Sequence, residues 1–229
     1  MTTQSDDRLA DPLPRNPLDT AAQWLAEAWE LRAQRNPNSM TLATCTADGR
    51  PSARVVLCKE IVPRPGYVVF YTNYHSRKGR ELLDNPRAAA VLHFDALGCQ
   101  VRVEGLVERS PASESDSYFA SRALQSRIGA WASAQSEPIP SREGLRAAVA
   151  ETARRFGVDP RAVAVDTAPE VEVPRPPHWG GYRLWPEAVE LWVEGTARLH
   201  DRARWTRPLT RLQDGRMDVG TWSATRLQP

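Results

Sequence analysis

The 229-residue sequence has few cysteines and no long apolar run. Its three cysteines, Cys45, Cys58 and Cys99, are scattered and lack CxxC spacing, which excludes a disulfide framework or a zinc site and favours a reducing cytosol. No stretch approaches the ~20 apolar residues of a membrane span. The segment from Met1 to Arg15 is polar and lacks the apolar core of a signal peptide. We therefore expect a cytoplasmic protein.

The sequence also lacks a strong charge imbalance and the common catalytic motifs. Its formal net charge of +2 is too small to argue for nucleic acid or an anionic membrane as a partner. It has no Gly-x-Gly-x-x-Gly fingerprint, no P-loop and no Gly-x-Ser-x-Gly elbow. Its histidines, His75, His93, His178 and His200, show no metal-ligand spacing, so no metal site is predicted.

Residues 1–17 are polar, contain three prolines and show no periodicity, so they are predicted to form a flexible N-terminal arm, followed by a single domain over 18–229. Helices are predicted at 17–35 (with Asp19 or Thr20 as N-cap), 76–83, 115–121, 125–134 and 142–156. Strands are predicted at 40–45, 52–60, 67–73, 88–94, 100–108, 181–184, 188–193, 197–205 and 217–222, and an extended connection at 157–178. Short strands with intervening helices indicate an α+β fold built on a β-barrel.

Two basic clusters could bind an anion. At the start of a predicted helix, Ser76 occupies the N-cap position, and Arg77 and Lys78 occupy the first turn, where cations oppose the helix dipole unless an anion is bound. The alternative is a solvated basic turn. Arg198, His200 and Arg202 alternate on a predicted strand and would share one face, which suits an anionic or electron-rich ligand. The alternative is an exposed polar strand face.

Two further groups are less distinctive. Arg54 and Lys59 have opposite parity on a regular strand, so both reach one site only through a bulge, a strong twist or contacts to different parts of a ligand. Tyr118 and Arg122 are spaced i, i+4 on a predicted helix, and Ser126 extends that face if the helix continues. Such a trio could grip a phosphate. Ordinary strand and surface packing are the alternatives for these groups.

The order of these motifs resembles the pyridoxine/pyridoxamine 5′-phosphate oxidase family from about residue 36 to the closing Arg226-Leu227-Gln228-Pro229. The resemblance rests on the following positions: Arg54-x4-Lys59, Tyr71-Thr72, Ser76-Arg77-Lys78, Gln100, Tyr118-x3-Arg122-x3-Ser126, Ile128-Gly129-Ala130-Trp131, Gln135-Ser136, Trp179-Gly180-Gly181-Tyr182-Arg183, Trp192 and Arg198-Leu199-His200-Asp201-Arg202.

The resemblance implies an FMN-binding split β-barrel (antiparallel, Greek-key-like, with surrounding helices) in a homodimer with a flavin at each of two interface sites. It implies that FMN contacts Arg54, Val55, Val56, Leu57, Cys58, Lys59, Tyr71, Thr72, Arg77, Lys78, Gln100, Gln135, Ser136, Trp192 and Arg202. It implies that the substrate phosphate contacts Lys59, Tyr118, Arg122 and Ser126, and that Arg198 and His200 act at the substrate ring next to the flavin as the catalytic pair.

The activity implied by the resemblance is oxidation of pyridoxine or pyridoxamine 5′-phosphate to pyridoxal 5′-phosphate, with O2 as acceptor and H2O2 as product. Two alternatives are a phenazine-biosynthesis type oxidase of the same fold and a non-catalytic FMN or pyridoxal-phosphate binding protein. The phenazine branch tends to lack Lys59 and the Tyr118, Arg122 and Ser126 grip, which argues against the first.

The sequence departs from the family at three places. No Arg-x-x-Tyr segment, which closes over the substrate in the family, is present in 1–17, and Ala123 replaces a proline. A Phe-Pro-Trp stretch is replaced by His93-Phe94-Asp95. The predicted FMN positions are complete and the substrate lid is not, so cofactor binding is the firmer expectation.

Overall fold

The computed structural model describes residues 9–164 and 171–229. The predictions made for 1–8 and 165–170 lie outside this part of the chain. The helices are α1 (Pro17–Leu31), α2 (Arg77–Asp84), α3 (Ala112–Ala120), α4 (Leu124–Ala132), α5 (Arg142–Arg155) and α6 (Pro160–Ala164). The strands are β1 (Ser39–Cys45), β2 (Pro51–Leu57), β3 (Glu60–Val62), β4 (Tyr67–Asn73), β5 (Arg87–Phe94), β6 (Cys99–Arg109), β7 (Trp179–Val193), β8 (Asp201–Thr206), β9 (Leu209–Arg211), β10 (Met217–Val219) and β11 (Ser223–Leu227).

Contacts within the chain define two compact units. Among the described residues, the first unit contains 9–70, 85–108 and 183–229, and the second contains 71–84, 109–164 and 171–182. The first unit carries most of the strands, and the second carries α2 to α6. The predicted α+β class is confirmed.

A nine-stranded sheet has the main order β11-β8-β7-β6-β5-β1-β2, with β3 and β4 as a branch. β1 pairs antiparallel with β2 and with β5, and β5 pairs antiparallel with β6. A tight turn joins β1 to β2, in which Gly49 adopts φ 84° and the Thr46 N–H donates to the Arg50 carbonyl. Alternate residues of β6 are buried, which gives this strand one core face and one more accessible face.

The core of the first unit is aliphatic and aromatic. Leu42, Phe70, Leu92 and Trp205 are almost completely buried. Helix α1 begins at Pro17, with Asn16 as the N-cap accepting from the Leu18 N–H, so the predicted cap at Asp19 or Thr20 was wrong. Proline fits this first helical position because its missing N–H would have no partner inside the helix.

Residues just before α1 are attached to the C-terminal strands of the first unit. The Leu9 N–H donates to Asp201, and the Trp205 indole N–H donates to the Pro14 carbonyl. Arg226 forms an ion pair with Asp201 and also donates to the Leu9 carbonyl. The segment from residue 9 onward is therefore held against β8 and β11 by backbone and side-chain hydrogen bonds.

The core of the second unit is formed by helices around one tryptophan. Phe119, Ile128, Ala153, Val158 and Trp179 are buried in a single cluster. Ser141 caps α5 by accepting from the Gly144 N–H. None of the helices in the described ranges is long and apolar enough to cross a membrane.

Several predicted boundaries were wrong. The strand expected at 52–60 is divided into β2 and β3, and the two strands expected at 181–184 and 188–193 are the single strand β7. Pro186 is tolerated there because pairing of β7 with β8 begins at Ala188, so the missing N–H costs no bond to β8. The connection expected at 157–178 includes α6, with Pro160 at its first position. Strands β9 and β11 were not predicted.

Candidate functional site

Three predicted flavin contacts in the second unit are hydrogen-bonded to one another. The Lys78 ammonium is buried and donates to Thr72 Oγ1 at 3.0 Å, Ser76 Oγ at 3.1 Å and Gln135 Oε1 at 3.0 Å. The Thr72 hydroxyl also donates to Gln135 Oε1 at 3.0 Å. The oxygens that accept from Lys78 in these three bonds are uncharged. The cluster therefore fixes the position of the Lys78 ammonium among three side-chain oxygens.

The same cluster lies at the N-terminus of α2. Ser76 Oγ accepts from the Gly79 N–H at 3.3 Å, which confirms Ser76 as the predicted N-cap. Arg77, the first helical residue, donates from Nε to Glu81 at 2.8 Å while its own side chain stays largely exposed. Glu81 is buried, so its carboxylate holds the Arg77 guanidinium against the protein surface. The helix dipole and the two cations contribute positive potential at this end of α2, and the Glu81 carboxylate offsets part of it.

An aromatic stack next to this cluster holds the predicted phosphate-binding residues of the second unit. Tyr71 stacks on Tyr118 with ring centroids 4.0 Å apart, and Tyr118 is parallel to Trp179 within 9°. The Arg122 guanidinium lies 4.5 Å from the centroid of Trp179, in a cation–π contact. Tyr71, a predicted flavin contact, and Tyr118 and Arg122, predicted substrate contacts, are thus brought together on one aromatic surface.

Arg122 has an unusual environment. Its Nη1 atom is buried and has no hydrogen-bond partner among the described residues. Burial lowers the pKa of this guanidinium below its ordinary value because water no longer solvates the charge fully. A buried donor without an acceptor costs about 1–3 kcal/mol. An anionic oxygen at this position would remove that cost.

The route by which Tyr118 and Arg122 meet differs from the prediction. The expected continuous helical face from Tyr118 through Ser126 was wrong, because α3 ends at Ala120 and α4 begins at Leu124. Arg122 lies in the break between these helices and is oriented by Trp179 instead of by helical spacing. Ser126 lies exposed in the first turn of α4, and Ser136 lies exposed with φ 75° in the segment after α4.

The first unit contains a polar sheet face that crosses three neighbouring strands. It is formed by alternate residues of β6, β7 and β8, namely Gln100, Arg102, Glu104, Glu190, Trp192, Arg202 and Arg204. Glu190 accepts from Arg202 Nε at 3.1 Å and Nη2 at 2.8 Å through one oxygen, and from Arg102 at 3.0 Å through the other. Gln100, Trp192 and Arg202 are predicted flavin contacts, so this ion network lies among them.

The network continues to a second carboxylate. Glu104 accepts from Arg102 at 3.1 Å and from Arg204 at 2.8 Å. The hydrogen bond from Arg204 lowers the pKa of the Glu104 carboxyl below its usual 4.5. The same bond raises the pKa of Arg204. Both groups are therefore charged near neutral pH.

Arg198 and His200 lie in a tight turn, not on a strand. A 3₁₀ turn covers Thr196–Arg198, and β8 begins only at Asp201, so the predicted common strand face for Arg198, His200 and Arg202 was wrong. Ala197 and Arg198 have φ values of 55° and 64°, which L-residues rarely adopt. Gly195 is required by the turn because a Cβ there would collide with the Leu199 carbonyl. The turn leaves the Arg198 side chain exposed.

His200 is held at the base of this turn. Its ring lies 4.6 Å from the ring of Trp192, and its Nδ1 accepts from the Gly195 N–H at 3.2 Å. A nitrogen that accepts a hydrogen bond carries no proton, so the neutral ring has its proton on Nε2. His200 therefore offers an N–H donor on the side away from Gly195.

The remaining predicted flavin contacts of the first unit lie on and after β2. Arg54 donates to the Leu42 carbonyl at 3.1 Å and to Thr44 Oγ1 at 2.6 Å, while Val55 and Leu57 are exposed. Val56 is half-buried. Because β2 ends at Leu57, the parity argument that separated Arg54 from Lys59 does not extend to Lys59, which lies exposed in the break before β3. Burial raises the pKa of the Cys58 thiol to about 12, so this side chain is neutral packing.

The sheet order separates two sets of predicted contacts in the first unit. Strands β6, β5 and β1 lie between β7 and β2. Four steps of ~4.8 Å put β2 roughly 19 Å from β7 when measured along the sheet. Arg54 and its neighbours are therefore not brought to Trp192 and Arg202 by strand adjacency.

Sequence reasoning missed several residues that organise these groups. Glu190, Arg102 and Glu81 form the ion pairs described above, and Trp179 was noted only as part of the family resemblance. Glu190 carried a readable signal, because it is the one charged residue in the apolar run Ala188-Val189-Glu190-Leu191-Trp192-Val193. No group of acidic, histidine or cysteine side chains in 9–164 and 171–229 could hold a metal ion.

Comparison with known proteins gives two family matches. Residues 28–155 match the family model described as pyridoxamine 5′-phosphate oxidase. Residues 179–229 match the model described as the pyridoxine 5′-phosphate oxidase C-terminal dimerisation region. Together the two matches cover the strands and helices that carry every predicted site residue from Arg54 to Arg202.

Individual relatives cover nearly the whole chain. A pyridoxine/pyridoxamine 5′-phosphate oxidase of Bordetella petrii is 49% identical over 96% of this chain and 93% of its own length. One from Burkholderia vietnamiensis is 46% identical over the full length of both chains. Among solved structures, PhzG from Burkholderia lata 383, in complex with tetrahydrophenazine-1-carboxylic acid, is similar with a TM-score of 0.78 and 35% identity, covering 96% of this chain and 95% of that one.

Proposed function

This chain belongs to the pyridoxine/pyridoxamine 5′-phosphate oxidase family and has its split-barrel fold, and on that premise we propose that it oxidises pyridoxine or pyridoxamine 5′-phosphate to pyridoxal 5′-phosphate with FMN as cofactor. The observation that carries the proposal is Arg122, whose buried Nη1 lacks a partner among the described residues beside Tyr118 and Trp179. This arrangement suits the phosphate of a small aromatic substrate, because guanidinium binds phosphate oxygens with charge-assisted hydrogen bonds.

The donor groups also fit a flavin mononucleotide. Arg77, Lys78 and the N-terminus of α2 form a positive site of the kind that binds phosphate. Trp192 offers an aromatic ring, and Gln100 an amide, on the polar face of the first unit. Arg202 uses three of its five N–H groups on Glu190 and the Gln228 carbonyl, which leaves one on Nη1 and one on Nη2 for a ligand.

Bound FMN would supply the redox chemistry, which is hydride removal from the substrate C4′ carbon and transfer of the electrons to O2 to give H2O2. The protein binds and orients the substrate. Arg122 and Tyr118, with Lys59 and Ser126, hold the substrate phosphate in this proposal. His200, with its proton on Nε2, donates a hydrogen bond to the substrate ring oxygen, and Arg198 orients the reacting carbon from the turn that holds it exposed.

We also propose a homodimer as the working form. The C-terminal segment matches a dimerisation region, and β2 presents the exposed apolar side chains Val55 and Leu57. Contacts from β2 of one subunit and from β7 and β8 of the other could serve one flavin, although the sheet separates them by roughly 19 Å within a chain. Cys45, Cys58 and Cys99 are thiols and not disulfides, which suits a cytoplasmic location.

The first experiment is aerobic turnover of pyridoxine 5′-phosphate by the purified, FMN-loaded protein, with pyridoxal 5′-phosphate and H2O2 both measured. Catalytic formation of both products supports the proposal. Flavin binding without either product would contradict the substrate assignment and keep only the fold and cofactor.

Arg198→Ala tests the catalytic assignment. We expect FMN binding to be unchanged and kcat to fall by about 100-fold, because the variant loses an orienting contact at the reacting carbon. Arg211→Ala, which removes an exposed arginine paired with Glu108, is the matched control and should keep wild-type kinetics. Normal turnover by Arg198→Ala would show that this assignment is wrong.

The similarity to PhzG supports one alternative substrate class, a tricyclic phenazine precursor. The two classes differ in their ring systems, and only the pyridine substrate carries a phosphate. Free inorganic phosphate should therefore compete with the substrate in our proposal and should have no effect on oxidation of an unphosphorylated tricyclic acid. Turnover of tetrahydrophenazine-1-carboxylic acid in preference to pyridoxine 5′-phosphate would favour the alternative.

A further inference from the structure

The ion network on the polar face of the first unit contains a carboxylate for which the proposed reaction gives no role. Glu190 is only 3% exposed, yet it lies on the same strand face as Trp192, two residues away. Burial of a carboxylate is costly unless it is paired and hydrogen-bonded. Here it is fully paired, since each oxygen accepts from an arginine.

The geometry of the pair restricts Arg202 strongly. One Glu190 oxygen accepts from both Nε and Nη2 of Arg202, so one edge of the guanidinium is occupied. Nη1 donates to the Gln228 carbonyl at 3.1 Å, which fixes the plane of the group from another side. One N–H on Nη1 and one on Nη2 remain, and Arg202 is the cross-strand neighbour of Trp192 on this sheet face.

We propose that Glu190 is a positioning residue that orients Arg202 for FMN before the cofactor binds. The inference rests on the proposed function, because it assigns Arg202 to the flavin. An unrestrained arginine loses most of its rotamer freedom when a ligand binds, whereas an arginine already clamped by Glu190 has lost that freedom on folding. Glu190 thus improves FMN affinity through Arg202 without contacting the cofactor.

A simple charge argument predicts the opposite change in FMN affinity when Glu190 is removed. The direction of that change therefore tests the proposal. Glu190 is an anion close to a site for an anionic cofactor, so its removal should tighten FMN binding if only Coulomb attraction mattered. Positioning predicts weaker binding. Glu190→Gln keeps the shape and one acceptor oxygen, and Glu190→Leu removes both acceptors.

The experiment measures the FMN dissociation constant by quenching of flavin fluorescence. We expect affinity to fall in the order wild type, E190Q, E190L, with a loss of about 10- to 30-fold for E190L, which is the cost of ordering an arginine side chain. The matched control is Glu187→Gln. It alters another glutamate of β7, which is paired with Arg87 of β5, and it should bind FMN as the wild type does. Equal or tighter binding by both Glu190 variants would overturn the proposal.

A double-mutant cycle separates positioning from a general role in folding. Arg202→Ala should weaken FMN binding, and E190L/R202A should bind no more weakly than R202A alone, because Glu190 acts only through Arg202. Additive losses would overturn the proposal and indicate a structural effect. If R202A binds FMN as tightly as the wild type does, Arg202 does not contribute to FMN binding and the proposal fails. The proposed function would not be affected by that result, because the wild-type protein would still bind FMN.

A readout without FMN distinguishes failure of this inference from failure of the proposed function. In NMR spectra of the cofactor-free protein, the Arg202 Nε–H signal, assigned by its loss in R202A, should exchange slowly with water in the wild type and in E187Q. It should exchange rapidly in E190L. Rapid exchange in the wild type would overturn the clamp itself, whereas slow exchange in a protein that fails to bind FMN would overturn only the proposed function.

Discussion

Arg202, a predicted flavin contact of the first unit, and Arg122, a predicted substrate contact of the second unit, have different environments. Arg202 donates twice to a buried carboxylate and once to a backbone carbonyl. Arg122 lies against Trp179, and its buried Nη1 has no hydrogen-bond partner in the described part of the chain. The charge of Arg202 is compensated by a carboxylate, whereas the Arg122 guanidinium is held by a cation–π contact with Trp179.

The two arginines illustrate two ways in which a protein can hold a cation that binds an anionic ligand. A compensated arginine has a fixed direction but a weaker pull on an anion, because its partner carboxylate offsets much of its charge. An arginine held by a ring keeps its full charge and pays for burial, as its lowered pKa indicates. We therefore expect first-unit variants to act through geometry and second-unit variants to act through charge.

Replacement of Arg122 should give the largest effect. Arg122→Ala removes the charge-assisted contact that we propose to the substrate phosphate, so we expect KM to rise by about 100-fold while FMN binding is retained. Steady-state kinetics and flavin absorbance measure the two quantities. Arg146→Ala, which removes an exposed arginine of α5 paired with Glu143, is the control. An unchanged KM would remove the main observation behind the proposed substrate.

Replacement of Lys78 tests whether a positive charge in the second unit contributes to FMN binding. Lys78→Met keeps the length of the side chain and removes the buried ammonium, so we expect FMN affinity to fall by about 10- to 100-fold. The dependence of the dissociation constant on salt should also become shallower, because one cation no longer interacts with the phosphate. Arg80→Met alters an exposed cation of the same helix, paired with Glu137, and should have little effect.

If the FMN dissociation constant of Lys78→Met depended on salt as that of the wild type does, the contrast drawn between the two units would be contradicted. It would mean that the second unit, like the first, acts through geometry. The three hydrogen bonds from Lys78 would then serve only to hold Thr72, Ser76 and Gln135 in place.

The smallest effect is expected from the outer end of the first-unit network. The pKa of Glu104 is lowered in the folded protein, so its pairing stabilises the fold above the ordinary pKa of 4.5 and that contribution is lost as pH falls through the folded value. Because the pair is partly exposed, Glu104→Gln should cost only about 0.5 kcal/mol near neutral pH. Urea unfolding of both proteins over a pH series should show this difference disappearing in acid. A difference that persists in acid would mean that packing, not charge, is responsible.

Local sequence patterns predicted the elements around the second-unit cluster well. The strand at 67–73 was predicted with the bounds of β4, and the cap at Ser76 and the first turn with Arg77 and Lys78 are where spacing put them. These features depend on residues that are neighbours in the chain, and propensity and capping act at that range.

Features that depend on distant partners could not be predicted in the same way. Arg122 is oriented by Trp179, which is far from it in the sequence, and helical spacing suggested a different arrangement. Glu190 meets Arg102 only because β6 and β7 are adjacent in the sheet. The turn around Arg198 looked like a strand because its alternation of charged residues was regular, whereas the close approach of Gly195 to Leu199 decides its shape. The roles of the individual site residues stay predictions.

The left-handed backbone at Ala197 and Arg198 has a consequence for engineering. Two adjacent L-residues with φ values of 55° and 64° cost the folded state about 1–2 kcal/mol each. Glycine at position 197 would relieve part of that cost locally, yet it would also widen the range of directions available to the neighbouring side chain. A more heat-resistant variant made in this way would be expected to hold Arg198 less exactly, so resistance to heat and catalytic rate would change in opposite directions.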